Sequence, residues 1–216
     1  MTDYSQNGEQ KYILEALRDP AYPLSVADCI QPGRLLDIGA WNAKTFSNSR
    51  ALIELGWKAV LFEPSPGPLR GLILEYGENP KVEVVGCAVT ANGGDFLKMR
   101  VTDDALSVDA TNEEHLKTWD DYGFYGTMTA RAVSLAKVFD YWGSFDFVSI
   151  DVEGYSVDLF ARMIQIGQRP RCVVVEHNSR WKELQAAAQF GDYAPMHPWN
   201  EIDDNMVLKW EGRSDD

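Results

Sequence analysis

Cysteine is scarce in this chain of 216 residues: there are three, Cys29, Cys87 and Cys172, far apart and odd in number. No pair has metal-ligand spacing, and a disulfide framework is excluded as an organising principle. They read as small buried hydrophobes in a reducing compartment. Basic residues are in deficit, 20 Lys and Arg against 33 Asp and Glu, for a formal net charge of −13. A field of that sign repels phosphate backbones and anionic lipid, which argues against nucleic-acid and membrane partners. No stretch approaches ~18 uninterrupted apolar residues, the length a membrane-spanning helix needs. The opening residues, Met1-Thr2-Asp3-Tyr4-Ser5-Gln6, lack the basic-then-apolar layout of a signal peptide, so a cytoplasmic location is expected. Internal repeats and low-complexity tracts are absent.

What remains is 45% hydrophobic and 25% charged, an ordinary composition for one domain spanning 1–216. Apolar runs of strand length alternate with helical periods. An N-terminal helical segment, 1–30, carries Tyr12, Ile13, Ala16 and Leu17 at helical spacing and ends in a Pro-rich link. Arg34-Leu35-Leu36-Asp37-Ile38-Gly39 is the first strand. A helix is expected directly after it, with Phe46, Ala51, Leu52 and Leu55 as its inner stripe. Lys58-Ala59-Val60-Leu61-Phe62-Glu63 is the second strand, cut by Pro64 and Pro66; a helix over 69–76 leads to a third, Val82-Glu83-Val84-Val85.

A less regular segment, 86–141, follows, with strands expected at 96–101 and 127–133. Phe145-Asp146-Phe147-Val148-Ser149-Ile150-Asp151 reads as a buried strand. Ser156 is the expected N-cap of the next helix, whose inner face is Val157, Phe160, Met163 and Ile164. Cys172-Val173-Val174-Val175-Glu176 continues the series, and extended runs at 193–199 and 206–210 close the chain. Continuous apolar strands separated by helices mean a parallel sheet covered on both faces, and the closing pair must be antiparallel. The fold class is therefore α/β: a doubly wound, mostly parallel, Rossmann-like sheet ending in an antiparallel hairpin. Ligands of such sheets sit at the carboxyl ends of the strands.

The first strand runs into Gly39-Ala40-Trp41-Asn42-Ala43, where Gly39 permits a tight turn. Glu63 ends the second strand, 26 positions after Asp37, where an acid can accept hydrogen bonds from both hydroxyls of a ribose. Together these point to a nucleoside-containing cofactor. A dinucleotide would need further glycines for its pyrophosphate, and Trp41 and Ala43 stand in those places. S-adenosylmethionine has a ribose and an amino-acid tail but no pyrophosphate, so it tolerates side chains there. Against this stands the plain reading of Gly39 as a turn and Glu63 as a loop acid.

The strand at 145–151 ends in Asp151-Val152-Glu153-Gly154-Tyr155. Two carboxylates there suit a general base, an ammonium site or Mg²⁺, or else helix capping near Ser156. The next strand ends in Glu176-His177-Asn178, and this topology puts His177 beside Asp151, where an imidazole can take a proton.

These motifs resemble those of the FkbM-type methyltransferases, S-adenosylmethionine-dependent O-methyltransferases of the class I fold. The resemblance runs from Ser5-Gln6-Asn7-Gly8-Glu9 to Val175-Glu176. It is carried by Leu36-Asp37-Ile38-Gly39-Ala40, by Ser47-Asn48-Ser49 with Leu55-Gly56-Trp57, by Phe62-Glu63-Pro64-Ser65-Pro66, and above all by 145–154. It implies a seven-stranded sheet, a cofactor cradle of Asp37, Gly39 and Ala40, and Glu63 on the ribose with Pro64 following. It also implies that Gly86-Cys87-Ala88-Val89 passes the adenine, that the segment with Gln6 folds over the cofactor, and that Asp151 and Glu153 line the reaction centre. Where the family reads Gly-Ala-Asn-x-Gly this chain has Trp41 and Ala43, which alters the methionine end of the cradle.

The catalytic candidates are thus Asp151, Glu153 and His177, with Asp151 acting alone or through Mg²⁺ shared with Glu176 or His177. The acceptor implied by the resemblance is a hydroxyl of a sugar, glycan or small molecule. Between 103 and 121 the overhanging segment carries seven acids (Asp103, Asp104, Asp109, Glu113, Glu114, Asp120, Asp121) against one Lys117, which argues against an anionic acceptor. Tyr122, Phe124 and Tyr125 can stack on a sugar or simply pack. Trp199 and Trp210 are compatible with a homodimer contact and equally with core packing. An N-methyltransferase, a nicotinamide oxidoreductase and a non-catalytic nucleoside-binding module are the competing readings.

Overall fold

The structure is a computed structural model that describes residues 1–19, 30–102, 107–109, 116–117, 123–199 and 204–212. Apolar runs of four or five residues form the centre: β1 (Arg34–Ile38), β2 (Lys58–Phe62), β8 (Phe147–Ile150) and β9 (Cys172–Glu176), flanked by β3 (Val82–Val85) and, on the other side, β11 (Asn205–Trp210) and β10 (Tyr193–Pro195). The seven strands lie in the order β10-β11-β9-β8-β1-β2-β3. Pairing is parallel from β3 to β9, while β11 is antiparallel to both β9 and β10. The closing hairpin is therefore inserted backwards: its second strand lies next to β9 and its first, ending in Pro195, forms the edge, where a missing N–H costs no ladder bond.

Side chains alternate across this sheet and divide the core in two. Leu36, Ile38, Val148, Ile150, Val173 and Val175 face one side, packed by α4 (Leu135–Trp142), α5 (Ser156–Gln165) and α6 (Trp181–Phe190). Leu35, Phe147, Cys172 and Val174 face the other, under α1 (Glu9–Leu17), α2 (Arg50–Glu54) and α3 (Pro66–Tyr76). Burial on both faces is what makes these strands read as continuous apolar runs. The first layer includes Phe160 and Met163 of α5, both fully buried.

Two local expectations are corrected. The helix after β1 does not begin until Arg50, and Phe46 lies 53% exposed rather than on an inner stripe. The polar run before it satisfies the backbone by other means: Asn42 Oδ1 accepts from the amides of Lys44 and Thr45, and Ser47 Oγ accepts from Arg50 N. Such side chains compete with helix formation. Ser156 is likewise the first residue of α5 rather than its cap; its hydroxyl accepts from Val152 N at 2.9 Å and pins the turn after β8.

Between β3 and α4 the chain builds a second, four-stranded sheet, β4-β7-β5-β6, from β4 (Ala88–Thr90), β5 (Phe96–Val101), β6 (Ser107–Asp109) and β7 (Gly126–Ser134). The strands expected at 96–101 and 127–133 are its longest members. Phe124 is half-buried under the Arg100 guanidinium and Tyr125 is exposed; Asp103, Asp104, Glu113, Glu114, Asp120, Asp121 and Tyr122 lie outside the described residues. Trp199 packs on the core and Trp210 is partly exposed at the end of β11. Cys87 and Cys172 are free thiols, and Cys29 lies outside the described residues. Among the described residues no helix is long and apolar enough to cross a membrane.

Candidate active site

The carboxyl ends of β1, β2, β8 and β9 converge on one edge of the main sheet. Gly39, just beyond β1, has φ +86° and fits directly against the next strand: a Cβ there would stand 1.7 Å from the carbonyl oxygen of Asp151. The strand end is tied on both sides, with Asp151 N donating to Ile38 O at 2.9 Å and the amides of Gly39 and Ala40 donating to Phe62 O. Only glycine meets both the backbone angle and the space.

Asp37 is buried beneath this turn, and its carboxyl accepts hydrogen bonds from Ser49 and Ser149. Burial outweighs those bonds and pushes its pKa up to about 6. Glu63, equally buried, is gripped by backbone: Oε2 accepts from Trp41 N at 3.0 Å and Oε1 from Ser65 N at 2.6 Å. Burial raises this pKa also. The bond from Glu63 holds Trp41 in the left-handed region, φ +38°, which an L-residue adopts only when its surroundings impose it. The indole lies almost parallel to the Phe46 ring, centroids 6.0 Å apart.

Across the sheet, Glu153 and Gly154 both take positive φ and reverse the chain after Asp151. Ile150 pairs with Val175 in register, so Asp151 and Glu176 are neighbours at adjoining strand ends. Asp151, Glu153 and Glu176 each bring a carboxylate oxygen within 4.8 Å of the others. Burial first, and then the negative charge of Glu153, raise Asp151 to about 7; burial and the charges of Asp151 and Glu153 hold Glu176 well above the usual carboxylate range. Asn178 Nδ2 donates to Glu176 Oε1 at 2.9 Å.

The residues singled out from the sequence are distributed as follows. Asp37, Gly39, Ala40, Trp41, Glu63, Asp151, Glu153 and Glu176 share this edge. His177 is buried next to Glu176 and its amide donates to Asp204 O, but its ring nitrogens are not part of the three-carboxylate group. Pro64 is half-buried after Glu63, and Ala88 is buried at the start of β4. Gln6 is exposed; its segment is joined to the loop after β1 by the bond from Ser47 N to Tyr4 O. The residues that sequence reasoning missed are Ser49, Ser149 and Asn178. Their only signal was a hydroxyl or amide beside a strand-end acid. A shallow groove of about 360 Å³ between Trp41–Lys44 and α3 holds none of these carboxylates.

The family model described as "Methyltransferase FkbM domain" matches residues 37–205, from the first strand-end acid to the start of β11. The chain belongs to the FkbM methyltransferase family. Its members' activity makes it an S-adenosylmethionine-dependent methyltransferase. No curated protein matches it in sequence. Solved structures similar to this methyltransferase include precorrin-6y C5,15-methyltransferase from Geobacter metallireducens, at 13% identity and TM-score 0.47, over 98% of this chain and 93% of that one. The SAH-bound methyltransferase PaMTH1 of Podospora anserina is similar at 13% identity and TM-score 0.44, over 96% and 80%. Aeropyrum pernix fibrillarin, with natively bound S-adenosyl-L-methionine, is similar at 9% identity and TM-score 0.43, over 82% and 66%. The assignment rests on the family match.

The methyltransferase site fits that cofactor. Glu63 accepts from the Trp41 and Ser65 amides and from the Ser65 hydroxyl, and a carboxylate's roughly four acceptor positions leave capacity for a ribose hydroxyl. Asp151 and Glu176 hydrogen-bond each other at this edge, and burial holds both carboxyls above the usual carboxylate range. When bound, the cofactor supplies an electrophilic methyl group on a sulfonium.

Proposed function

We propose that this methyltransferase acts on oxygen, moving the methyl group to a hydroxyl of a small-molecule, sugar or glycan acceptor, with Asp151 as the proton acceptor. The observation that carries this reading is the position of Asp151: its backbone lies against the Gly39 turn at the end of β8, and its carboxyl group stands with those of Glu153 and Glu176. Its pKa of about 7 suits it to accept a proton near neutral pH. Burial and the negative charge of Glu153 support the reading by keeping that pKa high. In this reading Asp151 rather than His177, which is buried next to Glu176, is the base.

A general base contributes roughly 10²–10⁴-fold in rate. In an assay of methyl transfer from labelled S-adenosylmethionine to hydroxylated metabolites and glycans, with amines in parallel, Asp151→Asn should lose activity in that range while still binding S-adenosylhomocysteine. Transfer to amines alone would overturn the oxygen reading, and undiminished activity in the variant would overturn the role of Asp151. A divalent cation, if the reaction uses one, belongs on Asp151, Glu153 and Glu176; running the assay with EDTA and then with Mg²⁺ decides this.

A further inference from the structure

The second sheet is rooted at the edge where the carboxylates meet. It begins beyond the carboxyl end of β3 and returns at α4, whose last residue, Trp142, accepts through its carbonyl from the Arg34 guanidinium at the start of β1. The end of α4 is thus at the amino edge of the main sheet, and its first residue lies about 12 Å away, toward the carboxyl edge. β4 and the end of β7 rest on the core through Val89 and Val133, and β5 and β6 extend the sheet from there.

Alternation along β5 and β7 sorts the side chains of this sheet. Met99 and Ala130 are buried on one face. On the other, Phe96, Lys98 and Arg100 lie beside Arg131, Thr129 and Thr127, in the register Phe96↔Arg131, Lys98↔Thr129 and Arg100↔Thr127. Lys98 stands about 7 Å along the strand from Arg100 and about 7–8 Å diagonally from Arg131. Like charges so placed repel, and among the described residues no acid is at ion-pair distance from any of the three. Arg100 gives an independent sign of an absent acceptor. Its Nε is buried with no hydrogen-bond partner, while its guanidinium is held over the Phe124 ring, 4.5 Å from the centroid. Two exposed aromatics flank the cations: Phe96 opposite Arg131, and Tyr125, whose amide extends the β7 ladder to Val101.

These cations gather on a chain whose net charge is −13. Exposed charges more than about 8 Å away are largely screened at physiological salt, so a small anion at this face meets the cations rather than the net charge. A long polyanion would run past them onto the acidic remainder. That favours a small ligand with one or two anionic groups. The aromatic rings suit the C–H face of a sugar, and the threonines its hydroxyls. We propose that this face holds the anionic substituent, a carboxylate or a phosphate, of a sugar acceptor, with Lys98, Arg100 and Arg131 as its counter-charges. The proposal rests on the reading of the acceptor as a hydroxyl compound and narrows it to acidic saccharides. The count of acids over 103–121 argued the other way, but it takes in none of these three cations.

Calorimetric titration of the full chain tests it with a hyaluronan tetrasaccharide, which carries glucuronate carboxylates, with glucose 1-phosphate, with uncharged N-acetylchitotetraose, and with a single-stranded oligonucleotide. At least one of the two anionic sugars should bind about tenfold or more tighter than the uncharged one, and which of them does so tells carboxylate from phosphate. Lys98→Gln with Arg131→Gln should weaken that binding about tenfold and leave the Tm unchanged, which shows that the variant is folded. Lys58→Gln with Lys182→Gln, the same change of charge at exposed positions elsewhere, should leave it intact. Equal binding of charged and uncharged sugars, an equal loss in the two double variants, or tighter binding of the oligonucleotide would overturn the proposal. Methyl transfer to hydroxyls of uncharged sugars, with neither anionic sugar bound, would overturn this proposal alone and leave the oxygen reading standing. Transfer to amines alone would overturn both.

Discussion

Gly39 and Asp151 touch through their backbones: a Cβ on the first would stand 1.7 Å from the carbonyl oxygen of the second, at a φ of +86°. Gly39→Ala therefore meets two penalties at once, the left-handed angle, of about 1–3 kcal/mol, and an overlap with backbone that cannot rotate away. The variant should lose at least about 2 kcal/mol in urea unfolding and fail to bind S-adenosylhomocysteine. Wild-type stability would show that β1 and β8 separate more easily than this contact implies.

Glu63 holds two amides with one carboxylate. In Glu63→Gln an NH₂ group must face one of those donors, leaving an N–H unsatisfied at a cost of about 1–3 kcal/mol. Trp41 also loses the bond that keeps it in the left-handed region. We expect a lower Tm together with cofactor affinity reduced by about tenfold or more. Unchanged affinity would remove Glu63 from the cofactor cradle.

Asp151, raised to about 7, and Asp37, raised to about 6, make the folded state bind protons that the unfolded chain has already released. Unfolded aspartate titrates near 3.9, so above that value stability falls as pH rises. This contribution is complete below about pH 4 and gone above about pH 7. The ligand-free protein should melt at a higher temperature at pH 5.5 than at pH 8. The acids facing this pair are Glu63, Glu153 and Glu176, and the net charge of −13 acts in the same direction. Comparison with Asp151→Asn isolates the site: the variant should show a shallower slope. Equal slopes would assign the effect to overall charge.

Phe160 is fully buried in α5, and Phe46 is 53% exposed in the loop before α2. Truncating the first to alanine should cost about 3–5 kcal/mol, whereas Phe46→Ala should fall within about 0.5 kcal/mol of wild type. A large cost at Phe46 would restore it to the core stripe that helical periodicity predicts.

The legible part of this protein was its central sheet. The runs at 34–39, 58–63, 145–151 and 172–176 are apolar because strands buried on both faces have no solvent side to mark with polar residues. Each carries an acid at or near its end, which directed attention to the edge where those acids meet. The segment after Gly39 was misread because period alone does not register that Asn42 and Ser47 satisfy the backbone from their side chains. Ser49 and Ser149 were invisible as a pair for a different reason: they lie far apart in sequence and share only Asp37.

By itself the sequence determined the α/β alternation, the glycine turn, the strand-end acids and the excess of negative charge, because these depend on residue type and local spacing. Tertiary structure alone decided that β11 lies between β9 and β10, that a second sheet forms from 88–134, and that Asp37, Glu63, Asp151 and Glu176 meet at one edge. Those facts arise from register between strands distant in the chain. Burial at that convergence, rather than the identity of any one acid, sets the protonation of the site.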